Sequence, residues 1–142
     1  MKSKTFERIP QDMKQLGCRW TRPRHEVLEV FQRNPAPLTG QSIFLKLTRR
    51  KTDLASVYRT IHLFVKHKIL VPVDAVADGK RYELSDRYRE HHHHLICQSC
   101  GEVEDIRSCT LTRIEAGLAR RTGYRILHHD LKFVGLCRSC DQ

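Results

Sequence analysis

The sequence predicts an α+β protein, an N-terminal winged helix-turn-helix followed by a small α/β domain. Three observations predict it. Apolar residues recur at helical spacing through residue 65 and then turn strand-like. Residues 1–80 carry 16 Lys and Arg against 7 Asp and Glu, a net of +9, whereas residues 81–142 carry 10 against 9, a net of +1. Metal-type side chains show the opposite bias: His91 to His94 run into Cys97-x-x-Cys100, and a second pair stands at Cys137 and Cys140.

Taken in order, Thr5 to Leu16 reads as a helix through Phe6, Ile9, Met13 and Leu16, weakened by Pro10 and ended by Gly17. Thr21 is the expected N-cap of a second helix, with Pro23 near its first turn and Val27, Leu28, Val30 and Phe31 as its buried stripe. Asn34-Pro35-Ala36-Pro37 breaks it. Thr39 should cap a short third helix carrying Ile43, Phe44 and Leu47. Asp53 should cap a fourth, whose Leu54, Val57, Ile61, Phe64 and Val65 share one face while Ala55, Arg59, His62 and Lys66 line the other. That second face is exposed and basic.

Leu70 to Val76 and Lys80 to Leu84 then read as a hairpin turning through Asp78-Gly79. Helices followed by such a wing insert their last helix into the DNA major groove. Beyond it, His94 to Cys97 and Val103 to Ile106 are expected strands. Thr110 should cap a helix with Leu111, Ile114 and Leu118 inward, Gly123 should stop it, and Tyr124 to Leu136 should supply further strand. The edges of so small a sheet need a partner, and pairing between two copies supplies one with two-fold symmetry. The expected domains are 1–84 for DNA binding, 85–90 as a hinge and 91–142 for metal binding and dimerisation.

Two residues between cysteines let both thiolates face one ion, and two such pairs make a tetrahedral zinc site of Cys97, Cys100, Cys137 and Cys140. Disulfides are the competing reading. No apolar stretch follows Met1-Lys2-Ser3-Lys4, so a cytoplasmic location with reduced thiols is expected. The 36 residues from Gly101 to Leu136 exceed zinc-ribbon spacing, which requires further structure folded between the pairs. An extended histidine run projects His92 and His94 to one side and His91 and His93 to the other, so one strand can serve two more sites.

With 142 residues and a net charge of +10, the chain makes one or two small domains and favours a polyanionic partner. No apolar run reaches membrane-spanning length, so no membrane partner is expected. Catalysis is disfavoured: the second cysteine pair fills the ion's open position, and no deaminase signature, nucleophile elbow or phosphate loop is present. Neither an enzyme nor a small-molecule substrate is expected. A metal buffer or chaperone without DNA binding is the alternative; it accounts for the histidines but not for the basic helix face. On that face Arg59 is placed to read guanine and Tyr58 to meet thymine methyls, with Ser56 and Thr60 as backbone or shape partners. Lys14, Arg19, Arg22, Arg24 and Lys66 suit phosphates.

Thr21-Arg22-Pro23-Arg24-His25-Glu26-Val27-Leu28, Ala55-Ser56-Val57-Tyr58-Arg59-Thr60, Arg81-Tyr82-Glu83-Leu84 and the histidine run with both cysteine pairs together resemble the ferric uptake regulator (Fur) family across almost the whole chain. The resemblance implies a dimeric bacterial metalloregulator that, with its regulatory metal bound, binds a palindromic A·T-rich operator, by default as a repressor. It implies that Cys97, Cys100, Cys137 and Cys140 hold structural zinc, that Glu83, His92 and His94, joined by Asp105 in some members, hold the regulatory ion, and that His91, His93 and His129 belong to an additional site. Two positions depart from the family pattern. Pro37 replaces a histidine of the regulatory site, which leaves that ion short of a ligand, and Thr112 replaces a glutamate of the additional site. Glu83 ends the wing while His92 and His94 begin the next strand, so one ion held by all three would shorten the hinge. The ligands suit Fe2+, Mn2+, Zn2+, Co2+ or Ni2+. Cys18 and Cys109 read as small core residues. Asp105 also fits peroxide sensing through ligand oxidation, which the metal actually loaded decides.

Overall fold

In the computed structural model, caps and glycines set the helix ends. The structure describes residues 3–48, 51–75 and 79–142, with side chains from residue 6 onward except those of residues 74 and 75. Helix α1, Ser3–Gln15, accommodates Pro10 and ends where Gly17 takes φ 73° and Cys18 N–H donates to Met13 O at 2.9 Å. Helix α2, Arg22–Arg33, buries Val27, Leu28, Val30 and Phe31 as expected, but Thr21 makes no side-chain cap bond. The short α3, Gly40–Leu45, is capped by Thr39, whose hydroxyl accepts from Ser42 N–H at 3.1 Å. Asp53 caps α4, Leu54–Lys66, accepting from Ser56 N–H at 2.6 Å. Ile9, Met13, Val27, Ile43, Val57, Ile61 and Phe64 are wholly buried between these helices.

The wing pairs β2, Leu70–Ala75, antiparallel with β3, Gly79–Leu84, in a register running from Leu70 opposite Leu84 to Ala75 opposite Gly79. Val76 and Asp78 of the expected hairpin lie outside the described residues. A two-residue strand not anticipated from sequence, β1 at Leu38–Thr39, joins the far edge of β3. The run 85–90 is held down rather than free. Ser85 Oγ donates to Lys68 O at 2.7 Å, and Tyr88, 5% exposed, packs into the helical core with its hydroxyl 2.5 Å from Asp12 Oδ2 on α1.

The second sheet has β4, His93–Cys97, at its centre, with β5, Val103–Ile106, antiparallel on one side and β6, Lys132–Gly135, parallel on the other. Helix α5 spans Thr112–Thr122 and stops at Gly123 in the left-handed region. Three expectations are corrected here. Thr110 does not cap α5, whose N-cap position is Leu111 without a side-chain bond. Ile114 and Leu118 are 57% and 38% exposed, so α5 does not bury them within the described residues. Only residues 132–135 of the expected strand over Tyr124 to Leu136 are strand.

Candidate metal centres and nucleic-acid surface

Three groups of ligand-type side chains converge among the described residues, each with its donor atoms within 4.8 Å of one another. The first joins both cysteine pairs. Gly101, at φ 73°, closes the turn after Cys97 with its N–H on Cys97 O at 2.9 Å, and Gln98 N–H donates to Gly135 O at 2.9 Å, drawing the two pairs together. Cys100 Sγ lies 3.8 Å from Cys137 Sγ. Four sulfurs about 2.3 Å from one zinc ion would be separated by about 3.8 Å, so the cluster fits zinc and not a disulfide. Hydrogen bonds from the Cys100 and Cys137 amides lower the Cys97 thiol to about 6, while its hydrogen bond with Cys140 pushes Cys137 up to about 12. One thiolate therefore forms readily, and a cation is needed to favour the rest.

The second group is Glu83, His92, His94 and Asp105. Glu83, 4% exposed at the end of the wing, has Oε2 at 3.1 Å from His92 Nε2 and 3.0 Å from His94 Nε2. Asp105 sits directly across from His94 in the β4–β5 register. Burial opposes ionisation of Glu83, but its bonds with His92 and His94 outweigh that and lower its carboxyl to about 2. Glu83 correspondingly raises His92, whose Nδ1 is fixed by Glu90 O at 2.9 Å. Arg89, unremarked in the sequence, bridges the two carboxylates, with Nη1 2.9 Å from Glu83 Oε2 and Nη2 on Asp105. Pro37 is buried and takes no part. The four donors that converge without it are the four expected from the sequence. A cleft of about 550 Å³ opens beside His92, lined from the helical side by Phe6, Phe31 and Asn34.

The third group is His91, His93, Cys109 and His129. His91 Nε2 is 2.9 Å from His129 Nε2, and Cys109 Sγ is 3.3 Å from the same nitrogen. His93 Nε2 is buried without a hydrogen-bond partner. Thr112 is exposed and stands outside the group. Cys109 is thus not the core residue expected, and Cys18 lies with its sulfur 3.5 Å from His67 Nε2 in the helical half. The histidine alternation is as expected: His92 and His94 face Glu83, while His91 and His93 face His129.

On α4, Arg59 is exposed and Tyr58 is 38% exposed. Arg59 Nη2 donates to Ser56 Oγ at 2.8 Å. Tyr58 lies over Gly40, where an added Cβ would come within 2.5 Å of the ring. Thr60 is 3% exposed and turned into the core, so the expected DNA contact from its side chain is not available. Lys14, Arg19 and Lys66 are exposed. Arg22 is partly committed to buried Glu26, at 2.7 Å, which also accepts from Thr52 Oγ1 at 2.6 Å. Arg24 donates to the carbonyl of Arg19.

The sequence model of the ferric uptake regulator family matches residues 15–134. The ferric uptake regulation protein of Synechococcus elongatus is 32% identical over 142 residues, spanning 97% of this chain and 96% of its own. The iron-containing structure of the ferric uptake regulator from Francisella tularensis is 27% identical with a TM-score of 0.74, covering 89% of this chain and 96% of that one. The Helicobacter pylori regulator shares the fold at a TM-score of 0.82 and 24% identity, over 100% of this chain and 95% of its own. With a winged helix, a zinc-compatible cysteine cluster and a mixed ligand group between them, the chain belongs to the ferric uptake regulator family.

Proposed function

We propose that this chain is a cytoplasmic, homodimeric repressor that binds a palindromic A·T-rich operator when its regulatory metal is bound. Proteins of this family are transcriptional regulators, and the relative from Francisella tularensis contains iron. The observation that carries the reading is the meeting of Glu83, from the wing, with His92 and His94, from the second sheet. A divalent ion, when bound by Glu83, His92, His94 and Asp105, supplies charge and a cross-link between the two halves. The side chains do the rest. Tyr88 and Arg87 hold the linker to Asp12 on α1, so any change in the angle at Glu83 is passed to the helices rather than absorbed by slack. Arg59 and Tyr58 read bases on the exposed face of α4, with Ser56 beside them, while Lys14, Arg19, Arg22, Arg24 and Lys66 track phosphates. Residues 1–84 thus bind DNA, and 91–142 dimerise through the exposed apolar side chains of α5 and β6.

The test is retardation of a palindromic promoter fragment by the full chain at buffered Fe2+, Mn2+, Zn2+ or Ni2+. Metal-dependent retardation that Glu83→Ala abolishes is expected. A protein that binds the metals and ignores the DNA would be a metal buffer, and the proposal would fail.

A further inference from the structure

We infer that Cys109 supplies a thiolate to a site formed with His91, His93 and His129, and that this site takes zinc in preference to iron or manganese. This inference stands apart from the DNA-binding reading. The geometry argues first. Three imidazoles and one thiol from three separate segments bring their donor atoms within 4.8 Å of one another, and the buried Nε2 of His93 has no other partner. An orphaned buried nitrogen costs free energy unless something binds it.

The surroundings argue second. His91 Nδ1 lies 2.7 Å from Asp86 Oδ2, and His129 Nδ1 lies 2.7 Å from Glu115 Oε1. Each carboxylate accepts the Nδ1 proton and leaves Nε2 as a lone-pair donor turned inward, the arrangement that orients imidazoles on a metal. The same two Nε2 atoms are 2.9 Å apart. Two unprotonated nitrogens at that distance repel, which a shared cation reverses.

The donor set argues third. Three neutral imidazoles and a thiolate suit a four-coordinate ion of borderline softness, as zinc is. Mn2+ favours oxygen donors and higher coordination, and this group contains no oxygen. Cys109 reaches these imidazoles from the loop before α5, while the exposed Thr112 at the start of that helix stands outside the group. The cluster also ties together β4, the loop at Cys109 and residues 123–131, which have no regular structure of their own.

Cobalt absorption tests the inference in the full chain, purified with zinc in the four-cysteine cluster. Stepwise Co2+ should produce a sulfur-to-cobalt charge-transfer band with tetrahedral ligand-field bands, whose amplitude at saturation corresponds to one cobalt–thiolate bond per chain. Zinc should bleach it stoichiometrically, and Mn2+ should not do so even at about a hundredfold excess. Cys109→Ser should lose the charge-transfer band, whereas Glu83→Ala and Arg59→Ala should keep it. Glu115→Gln should keep the band but weaken cobalt affinity by about tenfold or more. Cobalt uptake with no sulfur band, or a band that survives Cys109→Ser, overturns the inference. Loss of operator binding alone leaves it untouched.

Discussion

Glu83 is buried with two imidazoles and a guanidinium around one carboxylate, so its contact with His92 stabilises the chelated protein over a defined pH range. Its carboxyl is lowered from 4.5 to about 2, so that contribution is present above 4.5 and lost as pH falls through about 2. His92 is raised above 6.5, so its contribution is present below 6.5 and lost as pH rises through its folded value. Chelated protein should therefore show this contribution at its fullest between pH 4.5 and 6.5, measurable as the difference in urea midpoint between wild type and Glu83→Gln across pH. Metal affinity should run the other way, rising with pH as His92 gives up its proton. Arg89 holds positive charge against the carboxylates of the same site. Arg89→Ala should tighten regulatory-ion binding by about tenfold, roughly 1.4 kcal/mol, in calorimetric titration; weaker binding would show that Arg89 positions the ligands instead.

At the scale of elements, two of the four expected caps and the strand alternation were legible in the sequence because both are local, whereas Thr21 and Thr110 make no side-chain cap bond. Thr39 and Asp53 cap their helices from adjacent positions, and the histidine run divides between two faces because strand geometry leaves it no choice. Thr39→Ala should cost about 1 kcal/mol in chemical denaturation. Phe64→Ala, emptying the centre of the helical core, should cost about 3 to 5 kcal/mol. What stayed hidden was tertiary. Cys109 meets His129 across twenty residues, Arg89 finds carboxylates on two different strands, and Glu26 is buried because Arg22 and Thr52 bond it. Thr60 was expected beside Arg59 as a backbone or shape partner, although the outward stripe of Ala55, Arg59, His62 and Lys66 omits it, and the turn of α4 carries it into the core. Of the strand expected over Tyr124 to Leu136, residues 124–131 are irregular.

For the whole molecule, the apolar surface is unevenly shared. Ile114, Leu118, Tyr124, Leu127, Phe133 and Val134 are all more than a third exposed, which is costly in a monomer and useful at a two-fold interface. Phe133→Asp should shift the full chain from dimer to monomer in sedimentation and weaken operator binding with it. Removing zinc from the four-cysteine cluster with a strong chelator should lower the melting temperature more than any single ligand change at Glu83, because that cluster joins the ends of β4 and β6. Arg59→Ala should lose more affinity for operator than for random DNA, whereas Lys66→Ala should weaken both alike and reduce the salt slope by about one unit.

Four identical imidazoles in succession, two preceding β4 and two opening it, leave the strand blind to its own alignment: a slip by two positions would offer His94 and then Leu95 where His92 and His93 now stand, with half the chemistry preserved. What breaks the degeneracy is the apolar plug behind them, Ile96 at 0% exposure, with Cys97 committed to the sulfur cluster. Ile96 and Cys97 thus act as the strand's anchor pins, and the fidelity of both imidazole pockets is set by two residues that belong to neither.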